Sequence, residues 1–164
     1  MIKPIVYIDM DGVIADFSKA IKTHPKSSLE SYQKVPDHIP GIFEHLELVA
    51  GAKEAINQLH LSNKYDLFIL TTAPWDNPTA WMHKRLWIEK HFGEIFCKKV
   101  IITHRKDLLI GDYLIDDRTA NGAGDFKGTH IHFGWDYIND RFNEYRDWTA
   151  VLNYFEKNGW VLFP

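Results

Sequence analysis

The chain has one cysteine, Cys97, in 164 residues, so no internal disulfide can brace it. No apolar run approaches the length of a membrane span, and the opening Met1-Ile2-Lys3-Pro4 lacks the basic, apolar and small-residue order of a signal peptide. These absences predict a soluble, reduced, cytoplasmic protein with no membrane partner. There is no excess of positive charge either: 19 Lys and Arg face 22 Asp and Glu, for a formal net charge of -3. That balance excludes a broad electrostatic grip on duplex nucleic acid, so an anionic ligand has to be met by local groups. Neither repeats, low-complexity tracts nor an interdomain linker break the chain. What is present is a globular composition, 45% hydrophobic and 14% aromatic, in a length that can bury its own core. One domain spanning residues 1–164 is the expectation.

The apolar pattern predicts an alternation of strands and helices. Ile5-Val6-Tyr7-Ile8 is a short β-branched run that stops abruptly in acidic residues, as a buried parallel strand delivering a loop does. Val13 to Lys22 reads as a helix, after which Pro25 and the polar, proline-punctuated stretch Lys26 to Pro40 interrupt regular structure. Residues 17–50 are therefore read as an insertion, a small cap. Ala52, Ala55, Ile56 and Leu59 have helical spacing, with Asn63 as a stop. Leu67 to Leu70 forms a second strand, and Pro78 to His91 a helix closed by Gly93, with Trp81, Leu86 and Ile88 among its apolar positions. Val100 to Ile102, Tyr113 to Ile115 and Thr129 to Phe133 complete about five strands, and Trp148 to Phe155 a last helix. The pattern is that of a three-layer α/β fold with a parallel sheet.

In such a sheet ligands bind beyond the carboxyl ends of the strands, so polar residues placed there are candidates for function. Three strands end this way: the first in Asp9-Met10-Asp11-Gly12-Val13, the second in Thr71-Thr72, a later one in Asp116-Asp117. Four carboxylates then converge on one crevice. Such a cluster repels itself, and persists only if the carboxyl pKa values rise or a cation sits among the oxygens. The donors are carboxylates and carbonyls without a Cys/His pattern, which favours Mg²⁺ over zinc. Singly, an Asp-x-Asp is more often a turn or helix cap, and paired aspartates a solvated loop. The conjunction with Lys106, just ahead of the Asp116-Asp117 strand, is what points to a phosphate site.

Asp9-Met10-Asp11-Gly12-Val13, Thr71, Lys106 and Asp116-Asp117 resemble, in order, the four motifs of the haloacid dehalogenase (HAD) phosphatases. Within that superfamily the chain is most similar to the 5'(3')-deoxyribonucleotidases. The likeness runs through Asp9 to Phe17, Pro40 to Phe43, Lys84 to Gly93 and Leu114 to Arg118. It fades between Ser18 and Ile39, where the animal enzymes carry a larger helical cap. The resemblance implies a Rossmann-like HAD core and a Mg²⁺-dependent phosphatase acting on a small phosphate monoester, a nucleotide. Asp9 would be the nucleophile that is transiently phosphorylated, and Asp11 the general acid and base. Asp9, the Asp11 carbonyl, Asp116 and Asp117 would hold Mg²⁺, with Asp117 ranked above Asp116. Thr71, Thr72, Lys84 and Lys106 would contact phosphate, and Phe17 the base.

Other residues have plainer readings. Phe43, Trp75 and Trp81 could help Phe17 form a stacking slot, but aromatic residues this abundant also fill cores. The nine histidines, His104, His130 and His132 among them, are read as structural, and Cys97 as an ordinary buried or partly buried thiol. A sugar-phosphate phosphatase and a non-catalytic phosphate binder are the competing functions. The binder leaves the paired Asp9 and Asp11 without a purpose, and a metal-dependent glycosyltransferase leaves Thr71, Lys106 and Asp116-Asp117 unexplained.

Overall fold

The computed structural model describes residues 2–136 and 139–158. Five parallel strands form its centre: β1 (Ile5–Ile8), β2 (Asp66–Thr71), β3 (Val100–Ile102), β4 (Tyr113–Asp116) and β5 (Thr129–His132). Their spatial order is β3-β2-β1-β4-β5. The first strand is thus central, flanked by β2 through Val6↔Leu67 and Ile8↔Ile69, and by β4 through Val6↔Tyr113 and Ile8↔Ile115. The order reverses at β1, and a crevice opens at that point beyond the strand ends.

Side chains alternate across the sheet. Val6, Ile8, Leu67, Ile69, Ile115 and Ile131 belong to the larger core, with α3 (Ala52–Leu61), α4 (Pro78–Phe96) and α5 (Trp148–Asn158). Tyr7, Leu70 and Leu114 face the other way, beneath Ala123 and Phe126. That third layer is thin, made of two short 3-10 turns at Lys106–Leu108 and Ala123–Asp125. Right-handed crossovers account for the asymmetry: β1 to β3 advance in one direction and place their helices on one face, while β4 and β5 lie on the opposite side of β1. Among the described residues no helix is long and apolar enough to cross a membrane.

The predicted helix over Val13 to Lys22 starts later than the pattern suggests. Ile14 and Ala15 both donate their amides to the Met10 carbonyl, at 2.9 Å each, and the chain curls into a turn. Helix α1 (Phe17–Thr23) begins only where the Asp16 carboxylate caps the Lys19 amide, at 2.9 Å. The stretch expected to lack regular structure contains a six-residue helix, α2 (Lys26–Ser31), since Pro25 ahead of its first turn blocks nothing inside it. Helix α4 does not close at Gly93. Its geometry breaks at Phe92 (φ -141°, ψ 21°) and then resumes, because the extra turn buries both Phe92 and Phe96.

Leu86, one of the apolar positions of α4, is 43% exposed, because the inward face of the helix is set by Lys84, Trp87 and Ile88. One burial expectation fails. Cys97 is exposed, since it sits where the chain leaves α4 and reverses through Lys98 in the left-handed region (φ 60°). A two-stranded hairpin, β6 (Trp135–Asp136) with β7 (Arg141–Phe142), was too short to read from sequence.

Candidate active site

Asp9 is the first residue beyond β1, and its amide donates to the Ile115 carbonyl of β4 at 2.9 Å, so the loop leaves the sheet locked to its neighbour. The turn closed on Met10 then brings Asp11 and Gly12 back over the strand ends. Gly12 has φ 74°, and a Cβ built on it would collide with the Asp117 carboxylate. Glycine is needed here because the two acidic loops approach more closely than a side chain allows.

Thr71 ends β2 fully buried, and Lys84, one turn beyond Trp81 on α4, is equally buried beneath the crevice. Lys84 Nζ bonds the Asp11 carboxylate and lies 3.2 Å from Thr71 Oγ1. Lys106, in its 3-10 turn, reaches Asp9 Oδ1 at 3.0 Å and Asp116 Oδ2 at 2.5 Å. The structure thus brings Asp9, Asp11, Thr71, Lys84, Lys106, Asp116 and Asp117 to one place. Thr72 is near, but its hydroxyl already donates to the Thr103 carbonyl at 2.7 Å, so only its backbone could serve an anion.

The charges do not cancel. Burial pushes the Asp11 carboxyl above its ordinary range, against the pull of Lys84. Asp116 is pushed up to about 7 by burial and by Asp9, although Lys106 opposes the rise. Asp117 is raised well above the usual carboxylate range by burial, then by Asp9, Asp116 and Asp11. Burial works against the Lys106 ammonium, but Asp9 and Asp116 outweigh it and raise its pKa. Asp11 Oδ1 and Asp117 Oδ1 are buried without a hydrogen-bond partner. Oxygen atoms of Asp9, Asp116 and Asp117 lie within 4.8 Å of one another. A buried, all-oxygen donor set with an orphaned acceptor suits a hard divalent cation.

Positional support comes partly from residues with no visible sequence signal. His130 and His132 place Nε2 at 3.3 and 3.2 Å from the Asp116 and Asp117 carbonyls, and the Asn143 amide bonds the Asp117 carbonyl at 3.1 Å. Trp148 on α5 donates to the Val13 carbonyl at 2.9 Å, fastening the first acidic loop from below.

The aromatic candidates separate. Phe43 is buried, and Phe17 stacks on it with centroids 5.1 Å apart and planes 6° from parallel. Trp75 is 77% exposed on the loop that follows Thr71-Thr72. It meets His104 at 6.4 Å between centroids, and Trp81 meets the same ring at 6.2 Å.

Comparison with known proteins fits this geometry. The family described as 5' nucleotidase, deoxy (pyrimidine), cytosolic type C protein matches residues 20–155. A Vibrio phage KVP40 protein bearing the name 5'(3')-deoxyribonucleotidase is 47% identical over 152 residues, covering 93% of this chain and 84% of its own. The chain belongs to this nucleotidase family. With that membership it is a phosphoric monoester hydrolase. A Staphylococcus epidermidis nucleotidase relative of the same name is 29% identical over 178 residues, 94% of this chain and 97% of its own. Among solved structures, a HAD-like family hydrolase from Xanthomonas campestris superposes with a TM-score of 0.55 at 13% identity, over 96% of this chain and 98% of the other. The HAD hydrolase YfnB of Bacillus subtilis, solved bound to magnesium, gives 0.52 at 14% identity, over 96% and 100%. At these identities the two structures speak for the shared HAD-like fold alone.

Proposed function

We propose that the chain is a Mg²⁺-dependent nucleotidase that hydrolyses 5'(3')-(deoxy)ribonucleoside monophosphates through an aspartyl-phosphate on Asp9. The observation that carries this reading is the pair Asp9 and Asp11 on one loop, faced by Lys106 and by an acidic group whose Asp117 Oδ1 has no partner. Asp9, the Asp11 carbonyl, Asp116 and Asp117 would hold the cation. When bound, it neutralises phosphate charge that would otherwise repel an anionic nucleophile. The names of the nucleotidase relatives support a nucleotide as substrate, and the magnesium in YfnB supports the choice of ion.

An oxygen of Asp9 attacks phosphorus while the ester P–O bond breaks, and Asp11 gives its proton to the departing sugar oxygen. Water then attacks the same phosphorus, Asp11 takes back a proton, and the bond to Asp9 breaks to release phosphate. Asp11 needs a proton for the first step, and burial favours that form. Lys84 holds the Asp11 carboxylate by one oxygen and leaves the other, buried, without a hydrogen-bond partner. Lys106 and the Thr71 hydroxyl balance or donate to phosphoryl oxygens. Phe17 contributes a base contact, and residues 17–50 act as the small cap of a single domain.

Phosphate release from a panel of nucleoside monophosphates and sugar phosphates tests the proposal, with and without exhaustive chelation. Turnover of nucleotides that disappears on chelation and returns with Mg²⁺ is expected. Robust sugar-phosphate turnover with none on any nucleotide moves the reading to a general small-molecule phosphatase, and full activity after chelation removes the metal.

A further inference from the structure

We infer that Asn143, seconded by His132, is a positioning residue that holds the Asp117 carboxylate ready for the divalent cation; this rests on the metal reading above. Asn143 follows β7 and lies far from the acidic loops in sequence. Its backbone amide donates to the Gly134 carbonyl at 2.8 Å, fixing it against the chain that leaves β5. Its side-chain nitrogen then spends both hydrogens on two carbonyls, Asp117 at 3.1 Å and Phe133 at 2.8 Å. His132 Nε2 stands 3.2 Å from the same Asp117 carbonyl, and a carbonyl only accepts, so that nitrogen carries the hydrogen and donates.

Two donors therefore converge on the backbone of Asp117, while its carboxylate Oδ1 is buried with none. That is an uncomfortable arrangement. Burial, and after it Asp9, Asp116 and Asp11, disfavour a charge at Asp117, and a loop free to rotate would turn the carboxylate out to water. Fixing the peptide at its carbonyl denies the loop that escape and leaves the carboxylate for a cation. An amide nitrogen suits the task, because one uncharged group bridges two acceptors without adding charge to the crevice. Aspartate at position 143 has the same shape, supplies no donor, and turns an oxygen toward both carbonyls.

The test is Mg²⁺ binding to the full chain by titration calorimetry, with thermal unfolding in the presence and absence of Mg²⁺. The variants are Asn143→Asp, Asn143→Ala and His132→Gln. Removing an outer partner of a metal ligand costs on the order of 10- to 100-fold in metal affinity, and Asn143→Asp should fall in that range. Asn143→Ala should fall less, and His132→Gln, which keeps a donor, least. The lost bonds to the Asp117 and Phe133 carbonyls lower the metal-free Tm as well, so the readout is the Mg²⁺-induced rise in Tm, which should shrink in proportion to the lost affinity. The Mg²⁺ concentration for half-maximal turnover should rise, with kcat recovered at saturation. If Asn143→Asp does not fold, Asn143→Ala carries the same test. Wild-type Mg²⁺ affinity in the Asn143 variants, or an equal loss of Tm with and without Mg²⁺, overturns the inference and leaves the metal reading standing. Absence of Mg²⁺ binding to the wild-type chain overturns both.

Discussion

The crevice and the insertion above it are held by different means. Asp9, Thr71, Asp116 and Asp117 stand at the ends of β1, β2 and β4, whose register is set by continuous parallel pairing, and with Lys84 on α4 and Lys106 in its 3-10 turn all six are buried. The insertion has no such frame. Helix α1 has seven residues, none of them fully buried. Its returning limb is tied by hydrogen bonds, Asn77 donating to the Asp37 and Ile39 carbonyls at 2.9 and 3.0 Å and Trp87 Nε1 to the Leu46 carbonyl at 2.8 Å, and by Ile39, Ile42, Phe43 and Leu46, which are buried in the core. The charged groups of the crevice hang on paired strand ends, a buried helix turn and a 3-10 turn, while the first helix of the insertion, α1, has no fully buried residue to hold it. Changes in the crevice should therefore act on kcat, and changes in the insertion on KM or on stability.

The largest effect should come from Asp9→Asn, which keeps shape but offers a poor nucleophile. Turnover should fall by roughly 10⁴-fold or more, as when a nucleophile is removed from a catalytic unit. Its unfolding temperature should not fall, because one charge leaves a crowded group. Substantial residual turnover would point to direct attack by water and would break the link between strand-end geometry and chemistry.

Asp11→Asn divides the same region by chemical step. Nucleotide hydrolysis should drop by about 100-fold or more, the usual share of general acid catalysis. With p-nitrophenyl phosphate the leaving group needs no proton, so rapid-mixing measurements should show a burst of nitrophenolate near one per site, followed by slow hydrolysis of the phosphoenzyme. Equal slowing of both substrates with no burst would remove Asp11 from both roles.

On the insertion side, Phe17→Ala should raise KM for nucleotides by roughly tenfold, within the range that base stacking on an aromatic ring is worth. Hydrolysis of deoxyribose 5-phosphate, which has no base, should be unchanged. Trp75→Ala run beside it asks whether the exposed ring next to His104 shares that contact. Parallel losses on the base-free substrate would show that these rings support the fold. The smallest effect is expected from Trp87→Phe, which loses one buried bond to the insertion at a cost of about 1 kcal/mol. Thermal unfolding should register a drop of about 2–4 °C for a chain of this size. Loss of kcat in that variant would contradict the separation of the two regions.

Much of this was legible in the sequence because it is local. A short β-branched run that stops in Asp9-Met10-Asp11-Gly12, or in Asp116-Asp117, reports both a buried strand and a loop at its end, since hydrophobic burial and strand period act over a few neighbours. Ala52, Ala55, Ile56 and Leu59 reported the buried face of α3 for the same reason. What tertiary structure alone decided is which distant groups meet. Lys84 is joined to Asp11 across 73 positions because one turn of α4 faces the end of β1, and its partner could not be read from the helix. The same holds for Asn143 on Asp117, for the stacking of Phe17 on buried Phe43, and for the exposure of Trp75, Leu86 and Cys97. Local pattern fixes which residues lie at a strand end or on a helix face. How those faces turn toward one another follows from the packing of the whole core, which no short window of sequence contains.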